Sequence, residues 1–494
     1  MIIIDLLHNL SQPYRNNMAG LFCISLALFL GSMTHAWVCP PTRFNVLDFG
    51  AVGDGKTMNT QAFARCVAAA SASHGGRVYV NGSGAVYLTG TIVLQSNTCL
   101  EVETGTTVYA SDSASDFLHA PSLTWDTGTV NLPLIFAVNV SHVGLIGGGV
   151  ISGGANDPPG HLVKSYDPAT NFLTPALLKD CSESWCRSKL AIFRDAQGVR
   201  LEGITLANSH SWTLSFERCL DVAVVGTHIR GDRRWPNNDG MDIIGSSDVE
   251  VRDTTISTGD DCICLITHTP EPVHRVHVHN CSLQSTSAAL KLSTFDSKGT
   301  GNIEDIVFES VTISDTNRGL ALMPRWGSAS ISNVLFRNIT IETRYFSTPW
   351  WGSAEPLYIT LTNFTDTQWC EGSISNISFS NIEARSENGA FFMSNSTLIS
   401  GVHLHNVSIA IDRFGNVSRP CHDLRPSPAP QMFPTAVDGI FAHGIQDLDL
   451  IHTSVAFSSP CQAYYGHCLN ITNTSDELQR DFHCYPCTQA EGNR

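Results

Sequence analysis

Val199-Arg200-Leu201-Glu202-Gly203-Ile204-Thr205-Leu206 carries the pattern that decides the fold: apolar side chains at offsets 0 and 2, a small or apolar one at 5, an apolar one at 7. The pattern returns at 222–229, 249–256, 276–283, 306–313, 334–341, 377–384, 402–409 and 448–455, with an early copy at 143–150. Successive anchors from Val199 to Val334 lie 23, 27, 27, 30 and 28 residues apart. Such a period marks stacked units that share one core. The alternation within each unit has the strand period of two and excludes a helical repeat. Leucine-rich repeats have a similar period, but their Leu-x-x-Leu-x-Leu and Asn signature is missing. Each unit therefore reads as strand, two-residue corner, strand, and the whole as an all-β, single-stranded parallel β-helix. Equivalent side chains of successive coils then stack in rows ~4.8 Å apart. Longer gaps, at 143–199, 334–377 and 402–448, imply loop insertions, which on a solenoid commonly build the binding face. Residues 60–70, Thr60 through Ala70, read as a helix closing the first coil, because an open solenoid exposes sheet edges.

Composition agrees with this architecture. The chain has 494 residues, 29 Lys plus Arg against 45 Asp plus Glu, and a net charge of −16. That balance argues against nucleic acid as a partner, since phosphate binding needs a cationic face. Charged residues are 15% and hydrophobic residues 42%, so a large core is available and disorder is excluded. Polar surface must come from Ser, Thr, Asn and Gly, which suit strands and turns.

Residues 1–36 read as a secretory signal, with Met18 as an alternative start. Arg15 precedes an apolar run at 21–31, and the small residues Thr34 and Ala36 precede a cleavage site before Trp37. The run falls short of the ~20 apolar residues of a membrane span, and the C-terminus lacks the hydrophobic tail of a lipid-anchor signal. A secreted, extracellular, monomeric protein without a membrane anchor is expected. The domain plan is 37–458 for the β-helix catalytic domain and 459–494 for a Cys-rich tail. Of 16 cysteines, Cys23 lies in the signal and 15 remain; the odd number requires at least one unbridged thiol. Cys181 and Cys186 are neighbours, and Cys461, Cys468, Cys484 and Cys487 crowd the last 34 residues, where bridges substitute for a core. Zinc is the competing reading, but Cys484-x-x-Cys487 has no second matching pair. Asn-x-Ser/Thr begins at Asn81, Asn139, Asn280, Asn338, Asn363, Asn376, Asn395, Asn406, Asn416, Asn470 and Asn473, consistent with glycosylation.

The chemistry concentrates in Pro236-Asn237-Asn238-Asp239-Gly240-Met241-Asp242 and Thr258-Gly259-Asp260-Asp261-Cys262. Asp239 and Asp260 are 21 residues apart, close to one coil, which places Asp239, Asp260 and Asp261 on neighbouring rungs. Paired carboxyls suit glycoside hydrolysis: a neutral one protonates the leaving oxygen, an ionised one activates water. Turn formation and calcium binding are the alternative uses of such clusters.

These residues also resemble a known family. Phe44-Asn45-Val46-Leu47-Asp48-Phe49-Gly50-Ala51-Val52-Gly53-Asp54-Gly55 resembles the opening of secreted pectin-degrading β-helix enzymes. Asn237-Asn238-Asp239-Gly240 is similar to their Asn-Thr-Asp-Gly motif, Gly259-Asp260-Asp261-Cys262 to their Gly-Asp-Asp-Cys motif, and Asn208-Ser209-His210-Ser211-Trp212-Thr213 to their Asn-Ser-x-x-Trp-Thr segment. The family is glycoside hydrolase family 28, the polygalacturonases, and the resemblance spans residues 44–455. It implies a right-handed helix, hydrolysis with inversion, and no metal or cofactor. Carried over, Asp260 is the general acid, Asp239 and Asp261 position and deprotonate water, and Asn237 holds the sugar.

The match breaks at two places. Ser285-Thr286-Ser287-Ala288 stands where the family has Gly-His-Gly, and Gly319-Leu320-Ala321-Leu322-Met323 where it has Arg-Ile-Lys after a Gly. Lys291, Arg318 and Arg325 are the candidates to grip a substrate carboxylate or sulfate instead, with Arg233 and Arg234 on the rim. Trp351, beside Trp350, is a candidate for stacking on a sugar ring. His274, His277, His279, His403 and His405 read as solvated strand positions. The substrate expected is a pectic or related uronic-acid polysaccharide. The alternatives are a catalytically lapsed glycan-binding β-helix, a hydrolase of a neutral or sulfated glycan, and a β-helix lyase.

Overall fold

The computed structural model describes residues 37–123, 130–294, 301–362, 370–395, 398–416, 422–425, 432–433 and 436–487. The expected signal 1–36, the Asn363 sequon and the extreme C-terminus lie outside these residues.

The repeat becomes a parallel β-helix. Along one face, β1 (Leu214–Glu217), β2 (Met241–Ile244), β3 (Ile263–Thr267), β4 (Ala288–Thr294), β5 (Arg318–Leu322) and β6 (Leu357–Leu361) pair in parallel, each one coil further. They belong to a 13-stranded sheet; a 22-stranded sheet wraps the other faces. The quoted pattern makes the bend between those faces. Its fifth residue adopts a left-handed conformation in copy after copy: Gly203 (φ 68°), Gly226 (57°), Asp253 (54°), Asn280 (53°), Asn338 (56°), Asn381 (55°) and Asn406 (55°). Gly, Asn and Asp enter that region at least cost, which explains the polar or glycine residue between two apolar pairs. The corners also hydrogen-bond to one another: Asn381 Nδ2 donates to Asn338 Oδ1 (3.0 Å), and Asn406 Nδ2 to Asn381 Oδ1 (2.8 Å).

Inside, equivalent residues stack. Phe308, Phe336 and Phe379 lie face to face with centroids 5.1 Å apart, all fully buried. The expected capping helix forms over Thr60–Ala72 and buries Phe63, Cys66 and Val67 against the first coil. At the other end Leu469–Thr472, Ser475–Arg480 and His483–Tyr485 add strands to the existing sheets. Disulfides Cys461–Cys487 and Cys468–Cys484 tie this coil, and Cys39–Cys99 and Cys181–Cys186 join the N-terminal segment and a loop. Both cysteines of Cys484-x-x-Cys487 are thus spent in bridges. Cys66, Cys219, Cys262, Cys264 and Cys281 are buried thiols.

The 143–199 gap holds the expected insertion, including an antiparallel hairpin of Val163–Asp167 and Phe172–Pro175. The hairpin rests on the rim of the sheet, where Leu173 N–H donates to Arg234 O (2.9 Å). The histidines occupy half-buried or exposed strand positions. Sequence neighbours offered no acids, but adjacent rungs do: His274 meets Asp305 at 2.9 Å, His279 meets Glu250 at 3.3 Å, and His403 meets Asp449 at 2.9 Å. No described helix is long and apolar enough to cross a membrane.

Candidate active site

Two turns set the acids. Asp239 and Gly240 precede β2; Asp260 and Asp261 precede β3. Gly240 N–H donates to Asp261 O (2.8 Å), placing the turns on adjacent rungs. A Cβ on Gly240 would lie 2.5 Å from Cys262 O, and one on Gly259 would lie 2.1 Å from Trp235 O. Both positions therefore need glycine for close backbone approach. Asn238, fully buried, locks the second turn: its Oδ1 accepts from Gly259 N (2.8 Å) and Asp260 N (3.1 Å), and its Nδ2 donates to Asp232 O (3.0 Å).

The three acids converge, each offering an oxygen within 4.8 Å of the others. Their environments differ. Asp261 Oδ2 meets the Lys291 ammonium at 2.5 Å, and its Oδ1 accepts from Ser287 Oγ (2.8 Å) and Ala288 N (3.1 Å). Burial pushes its pKa up, but the Lys291 charge and these hydrogen bonds outweigh burial and hold the carboxyl below its ordinary value. Asp260 is pushed up to about 6, by burial first and by the Asp261 charge second. Its Oδ2 accepts from Asn237 N at 3.1 Å. Asp239 is raised well above its ordinary value, by burial and then by Asp260, Asp242 and Asp261. The cluster thus holds one ionised carboxylate beside protonatable ones, the division that acid–base hydrolysis needs. Clustered oxygens also suit a hard cation, but here an ammonium already neutralises the ionised member.

Asn237 lies beside Asp260, with its Oδ1 held by Arg187 Nη1 (2.9 Å). Lys291 faces the acids rather than standing apart from them. Arg325 is near them too: its guanidinium lies 4.8 Å from the Trp351 ring centre, and burial lowers its pKa to about 10. Arg318 is placed otherwise. It is 1% exposed, sits 3.7 Å over the Tyr358 ring, and donates to Glu355 Oε2 (3.4 Å) and Asp423 O (2.9 Å). Arg233 is paired with Asp315, and Arg234 with Asp232. Ala321 and Met323 lie in a buried apolar cluster with Tyr358 and Phe391.

Sequence reasoning left four contributors unassigned. Asp242, one coil column from Lys291 through Cys264, is fully buried with neither oxygen hydrogen-bonded, and burial raises its pKa well above the ordinary value. Lys189 stands 3.9 Å over the Trp212 ring, and its charge acts on Asp242. Arg187 enters from the hairpin insertion. Trp212 was visible in the Asn-Ser-x-x-Trp-Thr segment, and Asp242 in the first acidic motif; Lys189 and Arg187 carried no local signal.

Comparison with known proteins places the chain. The model of glycosyl hydrolases family 28 matches residues 131–424, more than half its length. The chain belongs to that family. It is 24% identical over 444 residues to a polygalacturonase of Chamaecyparis obtusa, covering 82% of this chain and 77% of that one. It is 24% identical over 376 residues to a polygalacturonase of Prunus persica, covering 72% and 82%. Among solved structures, a family 28 exopolygalacturonase of Yersinia enterocolitica superposes with a TM-score of 0.64 at 18% identity, covering 89% of this chain and 78% of that chain. A polygalacturonase of Erwinia carotovora superposes with a TM-score of 0.53 at 17% identity, covering 78% and 99%. These likenesses share the right-handed β-helix. The protein is a polygalacturonase-like glycoside hydrolase that acts on O-glycosyl bonds.

Proposed function

We propose that the protein is a secreted hydrolase of a pectic, uronic-acid polysaccharide, in which Asp260 is the general acid and Asp261 the base that activates water. The observation that carries this reading is the split between the two: Asp260 pushed up to about 6, Asp261 held low by Lys291. Protonated Asp260 delivers its proton to the leaving glycosidic oxygen as the C–O bond breaks. Ionised Asp261 takes a proton from the water that attacks the anomeric carbon. Asp239, kept neutral, donates a hydrogen bond that orients that water. Asn237 fixes Asp260 and reaches the sugar from an exposed position.

Inversion is part of the proposal. The acid oxygens lie closer than the ~6.5–9.5 Å usual for inverting pairs. Both oxygens of Asp261 are nevertheless held by Lys291, Ser287 and Ala288, which suits a fixed base better than a nucleophile that must swing onto carbon. Arg325 and Lys189 supply positive charge for a uronate now that Ala321 and Met323 supply none, and Trp351 and Trp212 give aromatic faces. Arg318, buried against Tyr358, Glu355 and Asp423, is not among the groups that meet the substrate. The test is cleavage of polygalacturonate against highly methyl-esterified pectin. Faster cleavage of the acid, with Arg325→Met narrowing the difference, supports the reading. Equal rates on both, unaffected by Arg325→Met, overturn it in favour of a neutral-sugar hydrolase.

A further inference from the structure

The turn that carries the first acid is held from outside by one insertion. Contacts from segment 156–187 fall on four of its residues in order. Asn156 Nδ2 donates to Asp232 Oδ2 (2.6 Å), Leu173 N to Arg234 O (2.9 Å), Arg187 Nη2 to Pro236 O (2.6 Å) and Arg187 Nη1 to Asn237 Oδ1 (2.9 Å). Arg187 also donates from Nε and Nη2 to His210 O (3.0 and 2.6 Å). Its guanidinium therefore joins its own loop, the segment at His210 and the acid turn. The residue before it, Cys186, is bridged to Cys181. His210 is neutral, because burial and then the Arg187 charge lower its pKa to about 3, and its Nε2 donates to Ala176 O (2.7 Å) of the same insertion. At the other end of this clamp Asn237 holds a left-handed backbone (φ 55°), and its N–H donates to Asp260 Oδ2 (3.1 Å).

We propose that Arg187 is a positioning residue for the general acid and acts through Asn237: its planar fork fixes the Pro236–Asn237 turn so that the Asn237 N–H meets the Asp260 carboxyl in the geometry for proton delivery. The inference rests on Asp260 being the acid, as proposed above. A guanidinium suits the task because it donates in several fixed directions at once, whereas an ammonium is a point charge on a flexible stem. The charge of Arg187 also acts on Asp260 and Asp239. Asp260 is faced by Asp239 and Asp261 from the acid turns, Asp242 from β2, Lys291 from β4, Arg325 from the segment after β5 and Arg187 from the insertion. Burial and the neighbouring carboxylates favour its protonated form; the cations and the Asn237 N–H favour the ionised one. Removing Arg187 takes away a cation and loosens that hydrogen bond, so Asp260 should keep its proton to higher pH.

The experiment measures kcat, KM and the pH profile of kcat/KM for the wild type, Arg187→Met, Arg187→Lys and Asp260→Asn. The substrate is polygalacturonate or methyl-esterified pectin, whichever the wild type cleaves faster. Arg187→Met should lower kcat ~10²-fold with little change in KM, and its descending limb should move above the wild-type position near 6. Arg187→Lys keeps the charge and loses the fork, so kcat should fall with the limb closer to its wild-type place; it carries the test if Arg187→Met does not fold. Adding Asn237→Ala to either variant should lower kcat by less than the product of the separate losses, because both changes break one contact. A role confined to holding the fold lowers the unfolding midpoint and leaves kcat and the limb of the folded enzyme in place. That result, or separate losses that multiply in full, overturns the proposal while leaving the acid assignment intact. Wild-type activity in Asp260→Asn removes the acid assignment, and release from neither glycan removes the substrate reading; each takes the role of Arg187 with it.

Discussion

At the scale of single residues the site is a partition of protons. With Asp260 as the proposed general acid, Asp260→Asn removes an interaction made in the transition state and should lower kcat ~10²–10⁴-fold with little change in KM. Steady-state kinetics on the preferred glycan reads this. The pH profile of kcat/KM follows from the two shifts. The proposed mechanism needs Asp260 protonated, so activity should fall as pH rises through about 6. The same mechanism needs Asp261 ionised, so activity should fall again once pH drops below the ordinary carboxylate range. Lys291→Met removes the charge that keeps Asp261 low, and the ascending limb should move to higher pH; an unmoved limb would remove Asp261 as the base. The acids were legible in the sequence because two motifs stood one coil apart. The partners of the cations were not. Lys291 and Arg318 look alike as charges in apolar strands, yet Arg318 lies one rung on and three positions earlier in register, so that Lys291 meets Asp261 and Arg318 meets Glu355.

At the scale of elements, the repeat was readable because alternation and a recurring spacing of 23 to 30 residues coincide in it; the positive-φ corner residue is a constraint that the structure adds. The same constraints give the coil its stability. Phe336 is stacked between Phe308 and Phe379, so Phe336→Ala should cost ~3–5 kcal/mol, read as a lower unfolding midpoint. Activity of the folded fraction should persist, since the ring is inside the helix and away from the acids. The insertions were legible only as gaps. Their content depends on tertiary contacts between distant segments, as when the hairpin 163–175 docks on Arg234, and no local pattern in 143–199 encodes that. In the copies 306–313 and 448–455 the corner falls to Ser310 and His452, which adopt the same left-handed conformation (φ 54° and 49°) without being Gly, Asn or Asp.

At the scale of the whole molecule, a solenoid is limited by its ends. The N-terminal helix closes one end by packing. The last coil, rich in exposed residues, is held by Cys461–Cys487 and Cys468–Cys484. Breaking one of them, as in Cys484→Ser, should cost ~2–4 kcal/mol and lower the midpoint of thermal unfolding, with the catalytic pH profile unchanged because the acids lie coils away. The central claim is that the acid cluster hydrolyses a pectic bond by direct attack of water. It is tested most directly by early-time proton NMR of polygalacturonate digestion, which reads the anomer first formed at the new reducing end. The account predicts the β anomer first from this α-linked substrate, followed by slow mutarotation. The α anomer first, or an unsaturated product in place of a reducing sugar with a saturated partner, would contradict it.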